Sequence, residues 1–271
     1  QIYKNLKYPS LKIDSYFQVY EEIFKNYIEK KIIFVEVGVL GGGSLFMWKE
    51  YFGKDARIIG IDLNPEAKKW EKYGFEIFIG SQSDEKFWNY FYEKVGKIDI
   101  LLDDGGHHNR QQMTSVYSAI PNIKDGGVIV VEDTHTSYMS PFGNPSKHSF
   151  INFSKHMIDK INYRFPDISF KNKYKSEKKI FSISFYESIV VFNINSKKCF
   201  VPEHVNTTGD PYAVSDFSFT ESFPKIQGFI DTKLPILKKI PIIKKIVKIL
   251  FYKKNIIWKI KEYFVLRKFF K

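Results

Sequence analysis

Five short apolar runs punctuate the chain between residues 31 and 132: Lys31–Val37, Arg57–Asp62, Phe75–Ile79, Ile98–Asp103 and Gly126–Glu132. Stretches of helical character separate them. None of the runs alternates polar with apolar residues, so each is expected to be buried on both faces, as in a parallel sheet covered by helices. Helices are predicted over Ser44–Phe52, after Pro65, after Asp84, and over residues 109–119 and 147–163. Proline suits the first helical position and aspartate suits a helix cap. Ile180–Tyr186 and Ser188–Asn193 read as a closing strand pair. The expected class is therefore α/β, a doubly wound and mostly parallel sheet with a terminal antiparallel strand pair.

In an open parallel sheet, ligands bind beyond the carboxyl ends of the strands. Here every such end is polar. The first run leads into Glu36-Val-Gly-Val-Leu-Gly-Gly-Gly-Ser44 and the second ends in Asp62; the third is followed by Gly80-Ser-Gln-Ser-Asp84. The fourth continues into Asp103-Asp-Gly-Gly-His-His108 and the fifth into Glu132-Asp-Thr-His-Thr-Ser-Tyr138. A dinucleotide site wants G-x-G-x-x-G, but Leu40 stands at the middle glycine position between Gly38 and Gly43. Glu36 would repel a pyrophosphate and suits a cationic ligand instead, such as the sulfonium and amino group of S-adenosylmethionine. Asp62 is placed to accept hydrogen bonds from ribose hydroxyls.

The fourth and fifth runs bring Asp103, Asp104, His107, His108, Glu132 and Asp133 to one edge. Carboxylates so close raise one another's pKa, and a divalent cation relieves the repulsion. Oxygen ligands from Asp104, Glu132 and Asp133 suit Mg²⁺ or another hard divalent ion, which as a Lewis acid lowers the pKa of a bound hydroxyl. His107 is the expected general base, since imidazole titrates near neutrality, with His108 and His135 as its rivals.

Glu36-x-Gly-x-x-x-Gly-Gly-Ser44, Asp62, Gln82 with Asp84, Asp104-x-x-His107 and Glu132-Asp-x-His-Thr-Ser-Tyr138 together resemble the metal-dependent class I sugar O-methyltransferases of macrolide biosynthesis and the related rhamnosyl O-methyltransferases. The resemblance covers about residues 30–140. It implies a Rossmann-like methyltransferase fold, S-adenosylmethionine as donor, Mg²⁺, and a sugar hydroxyl as acceptor. It also implies donor contacts from Glu36, Gly38, Ser44, Asp62 and Gln82, to which Asp103 is added, metal ligands in Asp104, Glu132 and Asp133, and His107 as base. The region after residue 140 shows no match, so the acceptor's identity does not carry over.

Charge divides the chain. Residues 233–271 hold 13 of the 42 Lys and Arg and one of the 30 acids, leaving the rest neutral with 29 of each. The expected organisation is a helical lead-in over 1–30, a methyltransferase domain over 31–199, a substrate-covering loop or linker over 200–232 and a basic amphipathic helical tail over 233–271. Lysines interleaved with Ile, Trp, Tyr and Phe in that tail suit an anionic membrane surface, the alternative being a helical appendage that packs on the body or on a dimer partner. With no signal peptide and no long apolar run visible, the enzyme is expected in the cytoplasm, and the tail would make it peripheral on the plasma membrane. Such a location favours a nucleotide-activated sugar or a glycan of a bacterial surface polysaccharide (capsule or lipopolysaccharide) as acceptor. The single cysteine, Cys199, requires no oxidising compartment. A homo-oligomer is compatible with the sequence. Nucleic acid is disfavoured as a partner: the body is neutral, and Asp-Asp-Gly-Gly-His stands where base-modifying enzymes carry Asn-Pro-Pro-Tyr. A cephalosporin-hydroxylase-like enzyme would share parts of these motifs, and a scaffold without activity would leave the convergence of polar strand ends unused.

Overall fold

The structure, a computed structural model, describes residues 2–144, 146–166, 177–207, 209 and 263–270. Seven strands form one sheet: β1 (Ile33–Val37), β2 (Arg57–Asp62), β3 (Glu76–Ile79), β4 (Ile98–Asp103), β5 (Ile123–Val131), β6 (Ile180–Tyr186) and β7 (Ile189–Ile194). Their order is β3-β2-β1-β4-β5-β7-β6. The pairings among β1 to β5 are parallel, and β7 runs antiparallel between β5 and β6. The chain leaves β1 toward β2 and β3, then returns to lay β4 on the other side of β1. A sheet of this kind opens a crevice at that switch point.

Register decides what meets there. Val37 pairs with Asp103, and Asp103 with Val131. The next residues, Gly38, Asp104 and Glu132, therefore leave the sheet at one level. Two backbone bonds hold the level: Asp104 N donates to Val37 O at 3.0 Å and Glu132 N to Asp103 O at 2.9 Å.

The inner strands β1, β2, β4 and β7 bury both faces along most of their length, whereas the edge strands β3 and β6 are partly exposed. Val35, Val37, Leu101 and Val131 face α3 (Glu85–Val95), α4 (Asn109–Ala119) and α5 (Phe150–Asn162), where Trp88, Phe91, Val116 and Phe150 complete one core. Phe34, Ile58, Leu102 and Val130 face α1 (Tyr16–Phe24) and α2 (Gly43–Phe52) in the other. Asp84 caps α3 by accepting from Lys86 N at 2.9 Å. The segment opened by Pro65 is a 3₁₀-helix, Pro65–Tyr73, capped by Asn64.

The expected lead-in is no appendage. Tyr16, Tyr20 and Phe24, spaced four apart on α1, are buried against the sheet. The rings of Phe24 and Phe52 meet edge to face with centroids 5.6 Å apart. One compact unit accordingly spans residues 1–203, and residues 204–271 form a second. Most of the expected covering loop and basic tail lies outside the described residues; Arg267–Phe270 forms a short 3₁₀ turn. Among the described residues no helix is long and apolar enough to cross a membrane.

Replacing Phe24 by Ala should lower the stability of the whole body by about 3–5 kcal/mol, the usual cost of a buried phenylalanine. Urea unfolding followed by circular dichroism and by tryptophan fluorescence should shift together. A shift in one probe alone would mean that α1 frays independently.

Candidate active site

At the carboxyl edge of the sheet lies a cavity of about 650 Å³. Gly38, Ser44, Asp62, Gln82, Asp104, His107, Glu132 and Asp133 all line it, so the strand-end residues singled out in the sequence converge on one space. Two do not reach it. Glu36 lies fully buried beneath Ser44, which donates to it at 2.6 Å, and beside Trp48, whose indole donates at 3.1 Å. Asp103 is buried on the opposite face of the sheet, where Gln82 Nε2 donates to it at 2.9 Å. Burial pushes both carboxyls up. The period of two along β4 explains the split: adjacent residues face opposite sides, so Asp104 turns to the cavity while Asp103 turns to α4.

Gln82 is largely occupied. Besides Asp103, its amide oxygen accepts from Gly106 N at 2.8 Å. It therefore fixes the turn that carries His107. A Cβ at Gly105 would stand 2.0 Å from Gln82 Oε1, so any side chain there would push the amide off its partners. Asp62 is held by three backbone amides: Val39 N at 2.8 Å and Leu40 N at 3.1 Å on Oδ2, and Asn64 N at 2.8 Å on Oδ1. A carboxylate offers about four acceptor positions, so one remains for a ligand hydroxyl.

The glycine loop is tight for an unexpected reason. At Gly41 and Gly43 a Cβ would stand 2.6 and 2.4 Å from the carbonyl oxygens of Pro9 and Tyr8. Gly43 N also donates to Pro9 O at 3.1 Å. The backbone that approaches these glycines is thus the chain's own residues 8–9. Gly38 is different: its φ of +92° and its would-be Cβ 2.1 Å from Asp104 O require glycine where β1 meets β4.

The segment leading from Pro9 into α1 delivers the residue that sequence reasoning missed. Lys12, whose side chain is 1% exposed, places Nζ 2.7 Å from Asp104 Oδ2, 3.1 Å from Glu132 Oε2 and 3.5 Å from Glu36 Oε1. Burial works against its charge, but the carboxylates of Glu132, Asp104 and Glu36 together hold its pKa well above the usual lysine range. Glu132 is fully engaged, with Tyr20 OH donating to its other oxygen. Burial pushes the Glu132 carboxyl up to about 8 against the pull of Lys12. Tyr16 OH donates to Asp133 Oδ1 at 2.6 Å. The signal available in the sequence was the pair Tyr16 and Tyr20 on the buried face of α1, since buried tyrosines seek polar partners for their hydroxyls.

Of the three rival histidines, His107 alone lines the cavity. His135 bonds Ser188 through Nδ1, and His108 is exposed with its ring near Phe142. His107 Nε2 lies 3.3 Å from Asp133 Oδ2 and 4.0 Å from Asp104 Oδ1. Its Nδ1 is buried without a hydrogen-bond partner. Both His107 (φ +59°) and Asp133 (φ +53°) hold left-handed backbone, and Thr136 Oγ1 ties them together, 3.0 Å from His107 O and 2.8 Å from Asp133 O. Strain of this kind costs about 1–3 kcal/mol per residue and clusters at functional sites. Ligand atoms of Asp104, His107 and Asp133 lie within 4.8 Å of one another. The donor set suits a divalent cation, and the Lys12 ammonium already marks the neighbourhood as one that stabilises positive charge.

The strand order, with one reversed strand next to last, is that of the class I methyltransferases, and the fold is Rossmann-like. The resemblance to sugar O-methyltransferases read from the strand ends is borne out by comparison with known proteins. The chain is 27% identical over 188 residues to the 8-demethyl-8-alpha-L-rhamnosyl tetracenomycin-C 2'-O-methyltransferase of Streptomyces olivaceus, an overlap of 65% of this chain and 49% of that one. It is 31% identical over 157 residues to the mycinamicin VI 2''-O-methyltransferase of Micromonospora griseorubida, covering 54% and 39%. Among solved structures it matches the MycE methyltransferase of the mycinamycin pathway in complex with Mg, SAH and mycinamycin VI. That match has a TM-score of 0.60 at 26% identity, over 69% of this chain and 50% of that one. The chain thus spans half or less of the length of these relatives. No family model matches it.

Gln82→Ala should destabilise the body by about 1–3 kcal/mol, because it strips a donor from the buried Asp103 carboxylate and an acceptor from Gly106 N. Equilibrium unfolding in urea measures this. A loss under about 0.5 kcal/mol would mean that the bonds add little beyond what water supplies.

Proposed function

We propose that the chain is an S-adenosylmethionine-dependent, divalent-cation-assisted O-methyltransferase acting on a sugar hydroxyl. The observation that carries this reading is the convergence of Asp62, the glycine loop, Asp104, Asp133 and His107 on one cavity at the switch point of a class I methyltransferase sheet. The relatives are sugar O-methyltransferases, and MycE was solved with Mg and SAH.

Each part of the cavity has a role in that reaction. Asp62 accepts from the ribose of the donor, and the exposed side chains of Leu40 and Leu63 offer flat apolar surface beside it. Ser44, at the first turn of α2, brings a helix N-terminus to the cavity wall, which suits the carboxylate at the methionine end of the donor. Asp104, Glu132 and Asp133 are the residues for the cation. The donor supplies a methyl group already activated on sulfonium, and a bound divalent ion supplies Lewis acidity toward the acceptor hydroxyl. His107 takes the hydroxyl proton through Nε2, since Nδ1 is buried. As that proton leaves, the oxygen forms its bond to the methyl carbon and the carbon–sulfur bond breaks, giving the methyl ether and S-adenosylhomocysteine. Tyr16 orients Asp133, and Asp133 stands beside the imidazole, so most of the catalysis is positioning and electrostatics.

Within the class of sugar acceptors, the excess of positive charge on residues 233–271 favours a nucleotide-activated sugar or glycan of a bacterial surface polysaccharide, handled at an anionic membrane.

Calorimetry should detect S-adenosylhomocysteine binding to the wild-type chain and its loss in Asp62→Ala. Absence of binding to the wild type would remove the donor from the reading. With a nucleotide-sugar or glycoside acceptor and Mg²⁺, His107→Gln should lower kcat by about 10²–10⁴-fold, the range for a general base, with S-adenosylhomocysteine affinity unchanged. Chelation by EDTA should abolish turnover, and added Mg²⁺ should restore it.

A further inference from the structure

Asp104 and Glu132 have two claims on them. They are residues we assign to the divalent cation, and they are also the two shortest contacts of the Lys12 ammonium, at 2.7 and 3.1 Å. With Lys12 in place, neither oxygen of Glu132 is free: one faces Lys12 and the other receives Tyr20 OH. Asp104 keeps only Oδ1 on the His107 side. The donor atoms that lie together are then those of Asp104, His107 and Asp133, without Glu132. A cation held by that set would use the imidazole as a ligand, and a ligating nitrogen cannot take a proton from the acceptor.

Resting on the reaction proposed above, we propose that Lys12 is a displaceable internal cation of the metal centre. It neutralises Asp104 and Glu132 while the divalent site is empty and withdraws when a divalent ion binds. Its withdrawal admits Glu132 to the cation and leaves His107 as the base. Like charges so close repel strongly in a buried site, so a divalent ion and an ammonium compete for the same two carboxylates. The mounting of Lys12 suits such a movement. It sits on a thin surface segment between Leu11, 81% exposed, and Ile13, 42% exposed, so a small shift of that segment carries the side chain out. The backbone bond from Gly43 N to Pro9 O, three residues earlier, anchors the segment on the glycine loop, which links it to the donor side of the cavity.

Two measurements test this, with Mn²⁺ as the probe. In the first, titration followed by electron paramagnetic resonance compares wild type, Lys12→Met and Lys12→Arg. Lys12→Met should bind Mn²⁺ at least about tenfold more tightly, the direction and order expected when one positive charge is removed beside the ion. Lys12→Arg should gain nothing. A lysine that merely holds the carboxylates in place predicts the opposite sign, because its removal would let them disperse. In the second, the wild-type protein is acylated with a water-soluble amine reagent and read by peptide mass spectrometry. Lys12 should be protected without metal and become reactive at saturating Mn²⁺, while the half-exposed Lys68 is unaffected. Mn²⁺ affinity in Lys12→Met equal to or weaker than wild type overturns the proposal. So does equal protection of Lys12 with and without Mn²⁺, even if the variant fails to fold. No Mn²⁺ binding by wild type or by Lys12→Met overturns the metal reading itself and the displacement with it. Calorimetry with S-adenosylhomocysteine, which needs no cation, tells that result from an inactive sample.

Discussion

Buried negative charge at the ends of β1, β4 and β5 is the constraint around which the rest of the body is arranged. Parallel pairing puts Gly38, Asp104 and Glu132 at one level, and Glu36 lies just below them on the same face as Phe34. Carboxylates taken out of water must be paired or hydrogen-bonded, because an isolated buried charge costs several kcal/mol. The fold supplies partners from every side. Trp48 and Ser44 come from α2, Tyr16 and Tyr20 from α1, and Lys12 from the segment before it. This is why the first thirty residues cannot be an optional extension. Without them Glu132 would lose its ammonium and its phenol, and the sheet would present an unsatisfied acid to its own core.

The same principle sorts the two aspartates that stand side by side in the sequence. Asp103 ends β4 on the α3–α5 face and is answered by Gln82, Ser115 and the Gly105 amide. Asp104, one residue on, turns to the cavity. One acid thus builds the turn that presents His107, and the other faces the cavity. Gln82 belongs to the structural half of this division: its amide is spent on Asp103 and Gly106, so it shapes the cavity wall.

How much of this the sequence carried follows from the range of each interaction. The strands and helices were legible because burial on both faces leaves unalternated runs, and α4 appears at residues 109–119, where periodicity placed it. The edge that holds the site was legible too, since topology alone sends every strand end there. The partners that cross the sheet were not. Lys12 meets Asp104 and Glu132 across 92 and 120 residues of chain, and no local pattern distinguishes it from the other lysines near the N-terminus. For the same reason nothing in the sequence showed that the backbone of Tyr8 and Pro9 closes on Gly41 and Gly43. Strand β5 begins at Ile123 rather than Gly126 because Ile123 pairs with Ile98 before the chain turns outward through Gly126.

His107 and Asp133 complete the argument from strain. Neither residue type needs a left-handed backbone for packing, yet both adopt one, and Thr136 joins their carbonyls. A turn built only to connect β4 with α4 would relax by placing glycine at His107. Keeping an imidazole there, with one nitrogen unpartnered and the other 3.3 Å from Asp133, spends stability on geometry. On the proposed reading, that expenditure keeps the ring at a fixed place beside the acids while the cation among them changes.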